Sequence, residues 1–284
     1  MFGFINIYKP QGKTSHDVVA VLRRITKVKQ IGHTGTLDPF AEGVLPVCIG
    51  KATRLIEYLD DEKAYIGRVQ LGQSTTTYDT EGEVVNSSVK KVSREEIENL
   101  LDNFRGKIQQ IPPIYSAIKI NGKKLYEYAR NGEEVEIKPK DVEIFKLEIV
   151  SFDEEKQTVD LHIECSKGTY IRSIAHDLGE MLGVYGHLTK LLRIKAGMFK
   201  IENSIKLEDL KSKEGVLRNL IYPLEYLSYP KYKLDEKEKQ KVSNGVSIDI
   251  DISDGLCILV WQNELAAIAD IKDKKAKICK MFLG

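Results

Sequence analysis

The spacing of apolar residues along the chain follows two periods, and the longer one predicts the helices. Apolar positions recur every three to four residues over residues 15–26, 93–104, 169–183 and 206–215, with a shorter run at 52–59. Ser15 is the predicted N-cap of the first helix. Ser93 and Glu96 form a capping-box pattern, and Gly183 is a helix stop signal.

The shorter period, close to two, predicts strands. It covers residues 2–10, 43–50 and 64–72, and then 143–153 and 157–168, which we expect to form an antiparallel pair. From about Ser228 a lysine-rich polar stretch precedes three short strands at 246–250, 255–261 and 264–271. Strands and helices in mixed order, with hairpins, predict an α+β fold with a main domain over 1–228 and a small β module over 229–284.

Composition excludes several classes of protein. Of the 284 residues, 42% are hydrophobic and 30% charged, which is typical of a globular chain. No apolar run approaches the ~18–20 residues that span a bilayer, and the first residues do not resemble a signal peptide, so we expect a cytoplasmic protein without membrane contact. The four cysteines lack metal-binding spacing, so no metal site is expected.

Charge distribution is more informative than the net charge of +1. Residues 104–140 hold eight Lys or Arg against four Glu, together with Tyr115, Tyr126 and Tyr128. Basic and aromatic residues in one polar stretch suit phosphate contact and base stacking. On composition alone, a solvated surface hairpin is an equally good interpretation.

The segment GHTGTLDPFAEG, residues 32–43, carries the first candidate for chemistry. Its glycines allow unusual backbone angles, while Pro39 restricts both itself and Asp38, so the loop can hold the Asp38 carboxylate in one place. Aspartate before proline is also a common turn residue, so Asp38 has a purely structural interpretation. For His33, a role in the loop architecture and contact with a ligand are equally good interpretations.

Nucleotide-binding and triad motifs are missing. The GKT at residues 12–14 lacks the P-loop glycine, because Ile7 occupies its place, and no GxSxG or GxGxxG occurs. What remains near a predicted helix start is Arg172 with Tyr170, and Tyr65 on a predicted strand. Arginine could hold a carboxylate ionised, as a nucleophile must be, and tyrosines could stack on a flipped-out base.

These segments resemble a known family. NIYKPQGKTSHDVV, GHTGTLDPFAEGVLPVCIGKATR, YIGRVQLGQSTTTYDTEG, IPPIYSAIKINGKKLYEYARNGEEV, KGTYIRSIAHDLG and GHLTKLLRIKAGMF are similar, in order and spacing, to bacterial TruB-type tRNA pseudouridine-55 synthases. The resemblance covers roughly residues 1–225. It implies a mixed, largely antiparallel bent sheet flanked by helices, followed by a PUA-like C-terminal module.

The family resemblance also implies an activity, the isomerisation of a T-loop uridine of tRNA without metal or nucleotide cofactor. A monomer is the expected form. Asp38 would be the nucleophile, Arg172 its salt-bridge partner, and Tyr65 the stacking residue and a candidate for proton transfer. His33 would occupy space left by the flipped base. The remaining substrate-binding residues would be Tyr170, Leu191 and Asp79, with Lys9 and Pro10 supporting the loop.

Residues 112–140 match the family's RNA-binding insertion. Within and beyond it, Lys119, Lys123, Lys124, Arg130 and Arg193 are the candidates for contact with the RNA backbone. The chain departs from the family pattern at Leu192, where a first arginine is usual, and at Thr76, where aspartate is common. Two alternatives remain: a tRNA-folding module, and the catalytic subunit of a guide-RNA-dependent synthase.

Overall fold

The computed structural model describes residues 1–283, whose strands form a ten-stranded main sheet, a five-stranded C-terminal sheet and two two-stranded ribbons. In chain order the strands are β1 (Gly3–Lys9), β2 (Ile31–His33), β3 (Glu42–Ile49), β4 (Lys63–Leu71), β5 (Gln73–Thr75), β6 (Val84–Ser87), β7 (Gly106–Gln110), β8 (Lys119–Ile120), β9 (Lys123–Lys124), β10 (Lys140–Asp153), β11 (Thr158–Cys165), β12 (Gly186–Ala196), β13 (Phe199–Lys200), β14 (Ile205–Lys206), β15 (Lys231–Lys233), β16 (Ile248–Asp249), β17 (Gly255–Trp261), β18 (Glu264–Lys272) and β19 (Lys275–Met281). The two ribbons are β5-β6 and β8-β9.

Six α-helices accompany the strands, and short 3-10 turns connect several elements. The helices are α1 (Ser15–Thr26), α2 (Arg94–Leu101), α3 (Leu125–Asn131), α4 (Ile171–Met181), α5 (Lys213–Arg218) and α6 (Glu236–Ser243). The capping box of Ser93 and Glu96 begins α2 as predicted. The run at 52–59 lies in a 3-10 helix, Gly50–Tyr58, rather than an α-helix.

Two helix predictions were wrong in detail. The N-cap of α1 is Thr14, not Ser15, because the side chains and amides of Thr14 and Asp17 bond reciprocally. The helix predicted over 206–215 is broken into a 3-10 turn, Leu207–Asp209, and α5. Ser212 accepts the amide of Gly215 there and starts α5 separately.

The main sheet has the order β14-β1-β3-β12-β4-β11-β10-β7, with β2 paired to β3 and β13 to β12. All its pairs are antiparallel except β1 with β14 and β3 with β12. The predicted antiparallel pair of β10 and β11 is present. The mixed, largely antiparallel sheet with flanking helices confirms the α+β prediction.

The C-terminal sheet, in the order β15-β17-β18-β19-β16, begins at Lys231. Pairing is antiparallel except between β15 and β17. The sequence predicted β16, β17 and β18 but not β15, α6 or β19. Its likeness to a PUA module stays a prediction.

The two sheets share one apolar cluster. Phe4 and Leu55 of the main domain belong to the same buried cluster as Ile258 and Phe282 of the C-terminal part. Arg54 donates to the carbonyl of Met281 at 2.9 Å and lies over the Phe282 ring. Each part also has a buried cluster of its own, so the shared cluster is the contact between them. The domain boundary near residue 228 stays a prediction.

None of the helices within residues 1–283 combines the length and the apolar character needed to cross a bilayer.

Candidate active site

The loop between β2 and β3 carries Asp38, and bonds from the first twenty residues fix its shape. The Ser15 hydroxyl accepts the amide of Leu37 at 2.8 Å and donates to its carbonyl at 3.1 Å. The amide of Gly12 donates to the carbonyl of Pro39 at 2.8 Å. These bonds hold the residues on both sides of Asp38, so the carboxylate has a defined position.

Arg172, at the start of α4, lies beside that carboxylate. Its Nε is 3.1 Å from Asp38 Oδ2, and the arginine side chain is 6% exposed whereas that of Asp38 is 33% exposed. The Arg172 guanidinium also donates to the carbonyls of Thr77 and Tyr115, each at 3.1 Å. One buried cation thus joins the Asp38 loop, the threonine-rich turn and the beginning of the insertion.

Asp79 completes this ion cluster, which corrects its expected place among the substrate contacts. Its Oδ2 is 3.1 Å from the Arg172 guanidinium, and its side chain is only 2% exposed. Asp79 Oδ1 accepts from the Thr77 hydroxyl and from the amide of Glu81. With every bond directed into the protein, Asp79 positions Arg172 rather than touching a substrate.

The electrostatic environment of Asp38 has opposing contributions. Burial raises the pKa of the Asp38 carboxyl above its ordinary value, and the nearby charge of Asp79 acts in the same direction. Arg172, followed by Lys9 and Arg193, opposes that rise by favouring the ionised form. The result is a poorly hydrated carboxylate kept near three cations and partly open to a ligand.

Tyr65 lies on β4, directly across from Arg193 on β12 and Ile163 on β11. Burial raises the pKa of its phenol to about 12, so the group is a neutral hydrogen-bond donor at neutral pH. Its side chain and that of Leu191 belong to the apolar cluster that also holds Leu37. This cluster joins Tyr65 and Leu191 to Leu37 of the Asp38 loop.

Tyr170 precedes α4 and is half-buried. Gln110 of β7 fixes its backbone twice, accepting the Tyr170 amide at 2.7 Å and donating to its carbonyl at 3.0 Å. Burial raises the pKa of the Tyr170 phenol. The strand preceding the insertion therefore fixes the backbone of Tyr170 at the start of the helix that carries Arg172.

Lys9 has no exposed surface and, despite its expected place in the substrate-binding set, contacts only the protein. Its ammonium donates to the carbonyls of Pro10, Lys13 and Pro39. Burial lowers its pKa to about 8, partly offset by Asp38. Lys9 therefore supports the Asp38 loop from behind, and half-buried Pro10 belongs to the same support.

Arg193 is a second correction. Expected to contact the RNA backbone, it is 0% exposed and is the largest fully buried side chain among residues 1–283. Its guanidinium donates to the carbonyls of Val44 at 2.7 Å, Gly35 at 3.1 Å and Thr36 at 3.4 Å. Arg193 is thus turned inward to the Asp38 loop, where it has no access to a phosphate.

Gly43 permits a close approach between β3 and the backbone of Arg193 on β12. It has a φ of +106°, and a Cβ there would lie 2.3 Å from the Arg193 carbonyl oxygen. Glycine is required for both reasons. The last glycine of the GHTGTLDPFAEG segment therefore lets β3 and β12 run side by side behind Asp38.

His33, the last residue of β2, is half-buried and meets the ring of His16 edge-on, with the centroids 5.6 Å apart. Burial lowers the pKa of His33 to about 4, and His16 and Arg193 act in the same direction. Its buried Nδ1 has no hydrogen-bond partner within residues 1–283. At neutral pH the ring is an uncharged, partly exposed wedge.

The basic insertion folds into the β8–β9 hairpin and α3, and its cations lie against its own aromatic rings. Lys123 contacts the Tyr128 ring and pairs with Glu133 at 2.7 Å, while Lys124 and Arg130 lie over the Tyr126 ring. Lys119 is exposed. The predicted RNA-backbone role of these four residues stays a prediction.

Sequence reasoning missed several positioning residues. Ser15 was interpreted as a helix cap, and Gln110 and Thr77 carried no signal that could assign them to the site. Within residues 1–283, no three His, Cys, Asp or Glu side chains are grouped so that they could hold a metal ion.

Solved structures with the same fold support a class for the protein. The chain aligns over 99% of its length with 85% of a chain in the structure titled "Crystal Structure of a Cbf5-Nop10-Gar1 Complex", at 27% identity and a TM-score of 0.75. It aligns similarly with "Structure of H/ACA RNP bound to a substrate RNA containing 2'-deoxyuridine", at 25% identity, a TM-score of 0.74, and coverage of 100% and 86%. The chain therefore has the fold of the Cbf5 pseudouridine synthases.

Family models and curated relatives narrow that class. The model for the TruB family pseudouridylate synthase N-terminal domain matches residues 23–171, and that for the tRNA pseudouridylate synthase B C-terminal domain matches 172–228. A tRNA pseudouridine synthase B of Listeria innocua is 43% identical, covering 99% of this chain and 97% of its own length. One of Caldanaerobacter subterraneus is 46% identical over 86% of this chain and 85% of its own length. The chain belongs to the TruB family.

Proposed function

We propose that this protein is a tRNA pseudouridine synthase that isomerises the uridine at position 55 in the T-loop, with Asp38 as the nucleophile. The observation that carries this proposal is the partly exposed Asp38 carboxylate held 3.1 Å from a buried arginine on a loop fixed at both sides. The family of the chain supports the reaction, and the loop geometry supports the residue.

In the reaction, the bond between N1 of uracil and C1′ of the ribose breaks, and a bond between C5 and C1′ forms. C5 loses a proton and N1 gains one, so no atom is added and no electron acceptor is needed. Asp38 would attack either the uracil ring or C1′ and later leave. Arg172 keeps the carboxylate oriented and ionised, which a carboxylate nucleophile requires.

The other residues would bind the flipped-out nucleotide. Tyr65 would stack on the uracil, with Tyr170 and Leu191 beside it. A phenol with a pKa of about 12 carries its proton at neutral pH, so Tyr65 is suited to donate a hydrogen bond during proton transfer. The uncharged His33 ring would fill the space that the base leaves.

The chain would act on tRNA as a cytoplasmic monomer, with the T-arm between the active site and the insertion. An RNA-folding role would accompany this chemistry rather than replace it, because Asp38, Tyr65 and Arg172 are all present. A guide-RNA-dependent subunit would need other components, whereas the relatives of this chain are named as tRNA enzymes.

The decisive experiment uses the Asp38→Ala variant with an unmodified tRNA transcript. We expect it to bind the transcript with near wild-type affinity and to form no pseudouridine. The matched control is Asp251→Ala, which removes an acid of the C-terminal part whose side chain is 90% exposed. This variant should retain full turnover. Substantial product from Asp38→Ala would exclude Asp38 as the nucleophile.

A second experiment separates the stand-alone enzyme from a guide-dependent one. Purified protein is incubated with an isolated T-arm hairpin and no other RNA. We expect turnover, and a hairpin carrying 5-fluorouridine at the target position should be retained by the wild type but not by Asp38→Ala. No turnover on either the hairpin or intact tRNA would contradict the proposed function.

A further inference from the structure

A second concave surface lies next to α1 and outside the uridine site. This groove has a volume of about 670 Å³ and is bounded by α1, the loop after β1 and the segment after β14. Its floor is apolar, and four exposed cations line its edge. The floor is formed by Pro10, Val21, Ile25, Leu207 and Leu210, and the edge by Lys13, Arg24, Lys206 and Lys211.

The positive charge continues past the groove along the end of α1. Arg24 is shared with a neighbouring depression of about 460 Å³, which Lys27 and Lys29 also line. We call Lys13, Arg24, Lys27, Lys29, Lys206 and Lys211 the α1 basic face. Within the described part of the chain, none of these six has a carboxylate within ion-pair distance, and Glu208 is the acidic residue lining the groove.

Unpaired charge of this density is notable in a chain whose net charge is only +1. Several other lysines do have an acid within ion-pair distance, as Lys123 has Glu133 and Lys280 has Glu57. Six neighbouring cations without such partners repel one another, and a polyanion would relieve that repulsion. The charge therefore fits an anionic ligand better than a protein surface exposed only to water.

The α1 basic face is distinct from the active site, although the two surfaces lie on opposite sides of the same loop. Lys9 and the Gly12 amide bond to Pro39 on the side of the Asp38 loop, whereas Pro10 and Lys13 line the groove. Asp38, Arg172, Tyr65 and Tyr170 do not line the groove. The insertion reaches the Asp38 loop through another residue, Tyr115, which bonds to Arg172.

We propose that the α1 basic face is a second RNA-binding surface, which takes a segment of the same tRNA outside the T-arm. Phosphates would lie against the cations, and the apolar floor would receive the face of a base or a ribose. This inference rests on the proposed function, since it takes tRNA as the substrate. A tRNA is large enough to extend beyond a pocket that holds one nucleotide.

The test compares intact tRNA with the isolated T-arm hairpin for the variant Lys206→Gln/Lys211→Gln. Affinity for intact tRNA should fall about tenfold, and the slope of log K against log salt should become shallower by about 2, as expected for two lost phosphate contacts. Affinity for the hairpin and its conversion to pseudouridine should not change. Arg24→Gln/Lys27→Gln, which removes two cations of the α1 basic face near the end of α1, should reproduce the result.

The control Lys91→Gln/Arg94→Gln removes two exposed cations beside α2 and gives the same change in net charge. It should leave both affinities at the wild-type value. Equal weakening for tRNA and hairpin would place the contact on the T-arm and overturn the proposal, as would no weakening with either pair of variants. Hairpin turnover by the wild type separates these failures from failure of the proposed function.

Discussion

The cations behind the Asp38 loop and those on the insertion differ in the groups that they contact. Arg193 and Lys9 are fully buried, and their donors meet backbone carbonyls of the Asp38 loop or its neighbours. Lys124 and Arg130 lie over an aromatic ring near the surface. A buried cation held by carbonyls fixes the backbone, whereas a surface cation over a ring can exchange that contact for a phosphate.

Arg172→Met, which removes a buried cation, should have the largest effect. Asp79 would keep its buried charge without a cationic partner, so the free energy of unfolding should fall by about 3–5 kcal/mol. Pseudouridine formation should become undetectable. Chemical denaturation and a turnover assay on a transcript measure the two effects.

Arg68→Met is the control for Arg172→Met. It removes an ion pair with Asp160 at 2.6 Å in which the arginine side chain is 39% exposed. Surface pairs of this kind contribute about 1 kcal/mol or less. Equal losses of stability from the two variants would show that burial does not distinguish the two arginines.

Arg193→Met separates positioning from RNA contact. Three carbonyls lose their donor, which should lower stability by about 1–3 kcal/mol and reduce kcat at least tenfold through a less ordered Asp38 loop. Because the side chain has no exposed surface, tRNA affinity and its salt dependence should stay at wild-type values. A shallower salt slope would restore Arg193 to the RNA-contacting set.

The buried position of Arg193 shows which features could be predicted from the sequence and which could not. Periodicity and capping located α1, α2, α4 and the long strands, because those signals are local. The pairing of Asp38 with Arg172 was expected from a family pattern, and the structure places them together. Whether an arginine on a strand faces solvent or the interior depends on the neighbouring strand. No residue near Arg193 in sequence reveals that the carbonyls of Gly35 and Val44 accept its guanidinium.

The C-terminal part teaches the same lesson about weak local signals. The stretch around α6 is so rich in lysine and glutamate that its composition predicted only a polar segment. Its helix depends on the capping box of Asp235 and Glu238 and on one buried residue, Val242. This helix is stabilised by its cap and by tertiary packing, neither of which the periodicity of the sequence reveals.

His33 provides a pH test with a smaller expected effect. Its pKa is about 4 in the folded protein against 6.5 for an exposed histidine, so the unfolded chain binds more protons between these values. Stability should therefore fall as the pH decreases from about 6.5 to 4. In thermal unfolding, His33→Asn should lose less stability than the wild type over that range; parallel curves would contradict the burial argument.

The insertion gives the smallest expected effects. Lys119→Ala should weaken tRNA binding by a few fold and reduce the salt slope by about 1. Lys123→Ala should have a smaller effect, because Lys123 is already neutralised by Glu133, at 2.7 Å. Filter binding at several salt concentrations checks both variants, and a larger effect at Lys123 would mean that RNA displaces Glu133.

The position of β1 has a consequence for synthesis of the protein on the ribosome. This first strand pairs with β14, bonds to Ile221, and packs through Phe4 into a cluster that includes Phe282. β1 can pair with β3 soon after it is made, but these other partners follow it far along the chain. Because contacts between distant parts of a chain form slowly, we expect newly made chains to depend on chaperones until those partners have been translated.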